Sequence, residues 1–302
     1  MGLTFGATVC QLMPYATVRD DVVFADSLGL DHAWVIDQFE VPSDPSLSVL
    51  ESWSLLGALA AETRQIRLGA MVTNIAMRNP GMLAKSILTI DDVSAGRVVA
   101  VVGSGHYESE ARALGVDFPA PQQRIDRLRE GAAILDQALR GETVTFAGDH
   151  FQLDHAAFQP QPVQKPRPPL WVAGQGRRSL SVGVDHADAV VCLGEHNAPT
   201  DVSLAAFRDR MELVDQLCIE AGRDPTTLRR CYFAGWAAED IFGSADATAD
   251  LIGRYAEAGA TDFTFYLFNA LVGPMRPSHE SGRMADRDQL ERTVTEVIPQ
   301  FR

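Results

Sequence analysis

Long apolar runs are missing from this chain. Its 302 residues are 46% hydrophobic, yet no stretch of ~18 apolar residues occurs, the length a helix needs to span a bilayer. The opening MGLTFGATVCQLMPY has no basic segment and no small-residue cleavage site, so no secretory signal is expected. Gly2 follows Met1, but LTFG lacks the serine or threonine of a myristoylation signal. Cysteine is scarce. Cys10, Cys192, Cys218 and Cys231 lie far apart with no C-x-x-C pair, which argues against a metal site or a disulfide framework and suits reduced thiols in a cytoplasmic protein. Cations are in deficit, 26 Lys and Arg against 40 Asp and Glu, for a formal net charge of −14. So acidic a surface repels phosphate backbones and anionic lipid, and neither nucleic acid nor a membrane is an expected partner.

What the chain has in quantity is strand–helix alternation. Apolar, β-rich runs fall at 2–9, 32–36, 66–72, 97–103, 169–174, 188–194, 229–237 and 262–268. Helical periodicity follows each: 18–29 stopped by Gly29, 49–63, 80–94 opened by Pro80, 107–114 with 122–139, 177–186, 201–221, 246–258 and 286–298. Near-continuous apolar strands imply a parallel sheet covered by helices. Eight β/α units over this length predict a single-domain α/β protein, a (β/α)8 TIM barrel, with a doubly wound sheet as the competitor. The irregular stretch 143–169 reads as an inserted hairpin turning at Ala147-Gly148-Asp149, followed by a proline-rich approach to the fifth strand.

In such a barrel the functional residues follow the strands. Here polar and glycine residues collect there: Asp37-Gln38-Phe39-Glu40, Thr73-Asn74 with Met77-Arg78-Asn79, Gly103-Ser104-Gly105-His106-Tyr107, Gly174-Gln175-Gly176-Arg177-Arg178, Glu195-His196-Asn197 and Asn269. GQGRR at 174–178 is the best local candidate for phosphate, since two glycines admit an anion close to the backbone at the start of a helix. The plainer reading is a glycine turn with surface arginines. VVAVVGSGHYESEARALG at 98–115 also joins strand, glycines and helix, but it lacks the third glycine of G-x-G-x-x-G. No partner acid follows in a second βα unit, and Glu108 and Glu110 would repel a pyrophosphate. It reads as the fourth strand end of a barrel.

The segments ESWSLLGALAAETRQIRLGAMVTN, RNPGMLAKSILTIDDVSAGRVVAVVGSGHYESEARALGVDFP, GETVTFAGDHFQL and PQPVQKPRPPLWVAG, in this order, resemble the luciferase-like oxidoreductase superfamily, and within it the branch that uses coenzyme F-420, an 8-hydroxy-5-deazaflavin. The resemblance covers roughly residues 2–270 and is most specific from Arg78 to Pro119. It implies a (β/α)8 barrel with insertions, usually a homodimer, and a separate enzyme that reduces the cofactor. It implies that Asp37 lies near the ring and that Gln38 stands where sugar-phosphate dehydrogenases of the family often carry a histidine acid or base. Glutamine cannot shuttle a proton, which speaks against a dehydrogenase of that type. By the same resemblance Met71-Val72 is a non-prolyl cis peptide behind the ring, and Thr73 and Asn74 contact its polar edge. Ser104, Gly105 and His106 form the cofactor-contacting turn, with Ser109 beyond it. Gly174, Gln175, Gly176 and Arg177 bind phosphate, and Glu110 is structural. His106 either donates a proton to substrate or hydrogen-bonds the ring.

With F-420 the implied chemistry is hydride transfer at the deazaflavin C5, here in the reducing direction, on a small organic substrate brought within ~3.5 Å of that carbon. The alternative cofactor is FMN, which would make the protein a reduced-flavin monooxygenase. A cofactor-free binding protein is a third reading. Gln11, Met13, Tyr107, Phe118, Phe268 and Met275 are expected to roof a moderately apolar pocket.

Overall fold

The computed structural model describes residues 2–41, 44–267 and 284–302. Phe268, Asn269 and Met275 lie outside them. In chain order the elements are β1 (Thr4–Val9), α1 (Tyr15–Ser27), β2 (His32–Val35), α2 (Ser52–Glu62), β3 (Arg67–Ala70), β4 (Thr73–Asn74), α3 (Pro80–Val93), β5 (Ala100–Gly103), α4 (Glu108–Ala113) and α5 (Pro121–Ala138). There follow β6 (Thr143–Ala147), β7 (Gln152–Ala157), β8 (Leu170–Ala173), α6 (Arg177–His186), β9 (Ala189–Leu193), α7 (Thr200–Glu220), β10 (Arg229–Phe233), α8 (Ala245–Glu257), β11 (Asp262–Leu267), β12 (Met284–Ala285) and α9 (Arg287–Arg292).

The strands pair in the order β3-β2-β1-β11-β10-β9-β8-β5-β4, and the pairs between them are parallel. The ring closes where Leu68 donates to Arg97 O (2.9 Å) and Val99 donates to Leu68 O (2.8 Å). β3 and β4 are two halves of one barrel strand, parted at the cis Met71–Val72 peptide. This is the (β/α)8 barrel expected from the alternation. Its interior is a packed core. Trp34 is wholly buried and donates through Nε1 to Thr264 Oγ1 at 2.9 Å. Gly6 and Gly69 make room for the indole, since a Cβ on Gly6 would stand 2.5 Å from Trp34 Nε1 and one on Gly69 2.8 Å from its six-membered ring. Met71, Val99, Val101, Trp171, Val191, Cys231 and Phe233 fill the remaining inner positions.

Local chemistry sets the helix ends. The Asn79 side chain accepts from the N–H groups of Gly81 and Met82, with Pro80 in the first turn of α3. Glu51 does the same for Trp53 and Ser54 at the start of α2. The hairpin β6–β7 is antiparallel, and its tip is tied to α5: the Glu130 carboxylate accepts from the backbone N–H groups of Asp149, His150 and Phe151 at 2.9–3.0 Å. Two expectations change. The run 229–237 is a strand only to Phe233, because Gly235 turns the chain at φ 105°. The helix expected over 286–298 is α-helical only for Arg287–Arg292 and then widens into a π turn over Thr293–Val297. There Thr293 and Thr295 return their hydroxyls to carbonyls four residues back, and Pro299 brings no N–H to the next turn.

Candidate active site

Inward-facing residues at the carboxyl ends of the strands are half-buried where those below them are sealed. Cys10, Ile36, Val72, Ala173, Leu193 and Tyr266 hold these half-buried positions at the mouth of the barrel. Its wall on one side is the turn after β5. Gly105 sits at φ 75°, a left-handed conformation that favours glycine, and a Cβ there would overlap Asn74 Oδ1. Asn74 is held from both ends: its N–H donates to Asp37 Oδ2 (3.0 Å), and its Oδ1 accepts from Ala76 N (3.0 Å). Gly103 likewise lets Val72 approach, with Cγ2 at 2.9 Å from where a Cβ would stand. The buried Thr73 Oγ1, like Thr8 Oγ1, has no hydrogen-bond partner. The close approach of backbone and small side chains at Gly103 and Gly105 leaves room at this end of the barrel for a planar ring.

Asp37 does not present its carboxylate to this space. Its side chain is 1% exposed and takes a two-pronged contact from Arg78 (Nε to Oδ2, 2.9 Å; Nη2 to Oδ1, 2.5 Å). It also accepts from Ser52 Oγ (2.6 Å) and from Asn74 N. Every lone-pair direction of Asp37, expected near the ring, is thus engaged by a protein donor, and its carboxylate is spent on holding the surrounding loops together. Arg78, partly desolvated, is held charged by Asp37 and Glu51. Glu51 is half-buried, which alone would raise its pKa, but hydrogen bonds from Ser54, Arg78 and Trp53 pull it down to about 2. Glu110, 1% exposed, accepts the N–H groups of Phe39 and Glu40 through one oxygen, and burial raises its pKa above the ordinary carboxylate value. Gln38, between these anchored residues, is half-buried.

The exposed His106 carries the titratable group at the mouth. Its ring centroid is 3.8 Å from Tyr107 and 6.4 Å from Trp236. Burial against these rings and then the Arg124 charge lower its pKa below the ordinary imidazole value. Burial raises the Tyr107 and Tyr266 phenols, so both stay protonated. His196 approaches the far side of Trp236 at 5.8 Å. Ser104 lies half-buried in the turn, and Ser109 is exposed on α4.

The turn after β8 ends at α6, whose N-cap is Gly176. Gln175 and Gly176 are exposed and Gly174 is buried against Ser179. Arg177 does not join them. It pairs with Glu220 (2.5 Å) at the surface, and Arg178 pairs with Asp126 (2.7 Å), so the charge expected at a phosphate site is turned to Glu220 in this structure. What the turn offers an anion is backbone. The expected roof also changes. Gln11 is fully buried, clamping Ile36 through its carbonyl and N–H, and Met13 belongs to the core. Phe118 lies 4.2 Å beneath Arg124. Sequence reasoning missed the roles of Arg78, Ser52 and Trp236. Gly235, inside an apparent strand, was the signal for Trp236.

A closed parallel barrel with its polar residues gathered at the strand carboxyl ends is an enzyme architecture. The sequence pattern of the family described as luciferase-like monooxygenase matches residues 4–296. The chain belongs to that family and is an oxidoreductase. Among its relatives is a 5,10-methylenetetrahydromethanopterin reductase of Archaeoglobus fulgidus, 26% identical over 260 residues, 85% of this chain and 71% of that one. Another is an F-420-dependent glucose-6-phosphate dehydrogenase of Kineococcus radiotolerans, 29% identical over 218 residues, 70% of this chain and 62% of that one. In fold the chain is similar to the coenzyme F-420 dependent tetrahydromethanopterin reductase from Methanopyrus kandleri, with a TM-score of 0.78, 18% identity and full coverage of both chains.

Proposed function

We propose that the protein is an F-420-dependent reductase acting on a small organic substrate at the carboxyl mouth of the barrel. When bound, the deazaflavin supplies a two-electron hydride carrier at C5. The rest falls to the chain's own residues. Met71, Val72, Thr73 and Asn74 support one edge of the ring, and Ser104 and Gly105 leave space for its face. The backbone of Gly174, Gln175 and Gly176 receives a phosphate at the start of α6. His106 holds the proton that reduction of a C=C or C=N bond requires. Gln38 orients and does not exchange a proton.

The observation that carries this reading is the division of labour among the acids. Asp37 is saturated by donors and Glu110 accepts two backbone N–H groups through one oxygen, so both support the walls of the site, and His106, its pKa lowered by burial, is the titratable group beside them. The sequence likeness to F-420-dependent enzymes supports the cofactor. A homodimer and a separate enzyme that reduces the cofactor belong to the same proposal.

Fluorescence titration of the purified protein with F-420 and with FMN, in parallel, tests it. Micromolar binding of F-420 with FMN excluded is the expected result. Preference for FMN would make the protein a reduced-flavin monooxygenase, and binding of neither would end both readings.

A further inference from the structure

Helix α5 carries two arginines, Arg124 and Arg127, with no carboxylate partner among the described residues. Its other charges are matched: Asp126 with Arg178, Arg129 with Asp185, Glu130 with three hairpin N–H groups, and Asp136 with Arg140 and Arg167. Arg124 and Arg127 have no carboxylate within ion-pair distance among the described residues, in a chain with 14 more acids than bases. Each spends one terminal nitrogen on a backbone carbonyl: Arg124 Nη1 donates to Gly105 O at 2.7 Å, and Arg127 Nη1 donates to Ala76 O at 3.3 Å. Each keeps a buried Nε–H with no acceptor. Three residues apart on one helix, they are neighbours. The carbonyls they grip belong to adjoining strand ends, joined by Asn74, whose Oδ1 accepts from Ala76 N and abuts Gly105. Both side chains are half-buried, at the rim of the mouth beside His106. The Phe118 ring lies 4.2 Å from the Arg124 guanidinium and braces it.

We infer that Arg124 and Arg127 form an anion subsite at the mouth, taking a phosphate or carboxylate oxygen pair. An acidic protein gains from pairing every half-buried cation, and donors without acceptors are rare in native interiors. With Nη1 tied to the loop and Nε shut off from solvent, Nη2 is the donor of each guanidinium left to face outward, and a swing of the fork would bring Nε to bear on the same oxyanion in two-pronged geometry. Two sources carry such a group. One is the acidic side chain that F-420 bears beyond its ring, and this source rests on the proposed function. The Arg178–Asp126 pair brings the start of α6, which follows the Gly174–Gly176 turn, against the same helix. The other source is an anionic substrate.

The test uses the full-length protein, R124Q/R127Q, and R124K/R127K as a variant that keeps charge but lacks the fork. Circular dichroism establishes that each is folded. Thermal unfolding with inorganic phosphate and fluorescence binding of F-420, and of its ring fragment lacking phosphate, are then measured at low and high salt. We expect phosphate to raise the wild-type midpoint and to lose that effect in R124Q/R127Q, with R124K/R127K between them. If the cofactor is the source, R124Q/R127Q binds F-420 about tenfold more weakly and with a shallower salt dependence, while the ring fragment binds both alike. Unchanged F-420 affinity with the phosphate effect lost assigns the subsite to substrate. If wild type binds no deazaflavin yet phosphate stabilisation still needs the arginines, the proposed function falls and the subsite stands. Equal phosphate stabilisation in wild type and variant, none in either, or equal loss of F-420 and ring-fragment binding would overturn the subsite.

Discussion

Gly105 shows how a single position shapes the mouth. Its φ of 75° and the nearness of Asn74 Oδ1 leave no place for a methyl group. Gly105→Ala is expected to cost about 2 kcal/mol in chemical unfolding and to weaken cofactor binding, because relief comes only by moving Asn74 or the turn. An alanine variant with wild-type binding would show that the turn is not part of the cradle. At His106 the same scale sets a pH dependence. Its lowered pKa means that the proton leaves below the ordinary imidazole midpoint, so a reduction that needs His106 protonated should weaken as pH rises through that lowered value. His106→Gln should then lower turnover by about a hundredfold and flatten the limb. An NMR titration of the imidazole checks the direction of the shift independently.

At the scale of elements, Arg78 joins three of them. From the loop between β4 and α3 it holds Asp37 after β2 and Glu51 and Ser52 at the start of α2. Asp37 passes the constraint to Asn74. Asp37→Asn removes one charge of a pair whose acid is sealed, and is expected to cost about 3 kcal/mol, read from denaturant midpoints. Asn74, losing its charged acceptor, should hold the ring less firmly, and the affinity for F-420 should fall with stability. At the N-terminus of α2, Glu51 has its pKa pulled down to about 2. A depressed carboxylate contributes stability above its unfolded value, near 4.5, and loses it as pH falls toward 2. Glu51→Gln should therefore show a shallower decline of the melting midpoint between pH 4.5 and 2, starting from a lower midpoint at neutrality. An unchanged acid limb would mean that Glu51 is not held as the structure has it.

The whole molecule has an acid limit of its own, set inside the barrel. His32 is 6% exposed, lies flat on Trp34 at 4.9 Å, and has its pKa lowered to about 4, chiefly by burial. A histidine buried neutral favours the fold fully above its unfolded pKa near 6.5. Below that the unfolded chain takes up the proton first, so stability falls with pH from 6.5 to about 4. The shift corresponds to about 3 kcal/mol. His32→Phe, which keeps the stack, should remove most of that slope from calorimetric melts over this range. An equal slope in both proteins would place the acid sensitivity elsewhere.

How much of this was legible in the chain differs by element. Strand–helix alternation exposed the barrel because period-2 and period-3.6 apolar patterns are local, and parallel strands buried on both faces are apolar throughout. The glycines after the fourth and fifth barrel strands and the hairpin at 143–157 were visible for the same reason. Asp37, Arg177 and Gln11 were legible as positions but not as roles. Which partner a charged or polar side chain takes depends on elements far along the chain: Arg78 for Asp37, Glu220 for Arg177, the Ile36 backbone for Gln11. The sequence by itself determined the order of the elements and the end of the barrel where chemistry collects, since both follow from patterns a few residues long. Only the tertiary structure decided which acids are spent on the scaffold, and that Arg124 and Arg127 find no carboxylate among the described residues, because charge compensation is settled between neighbours in space.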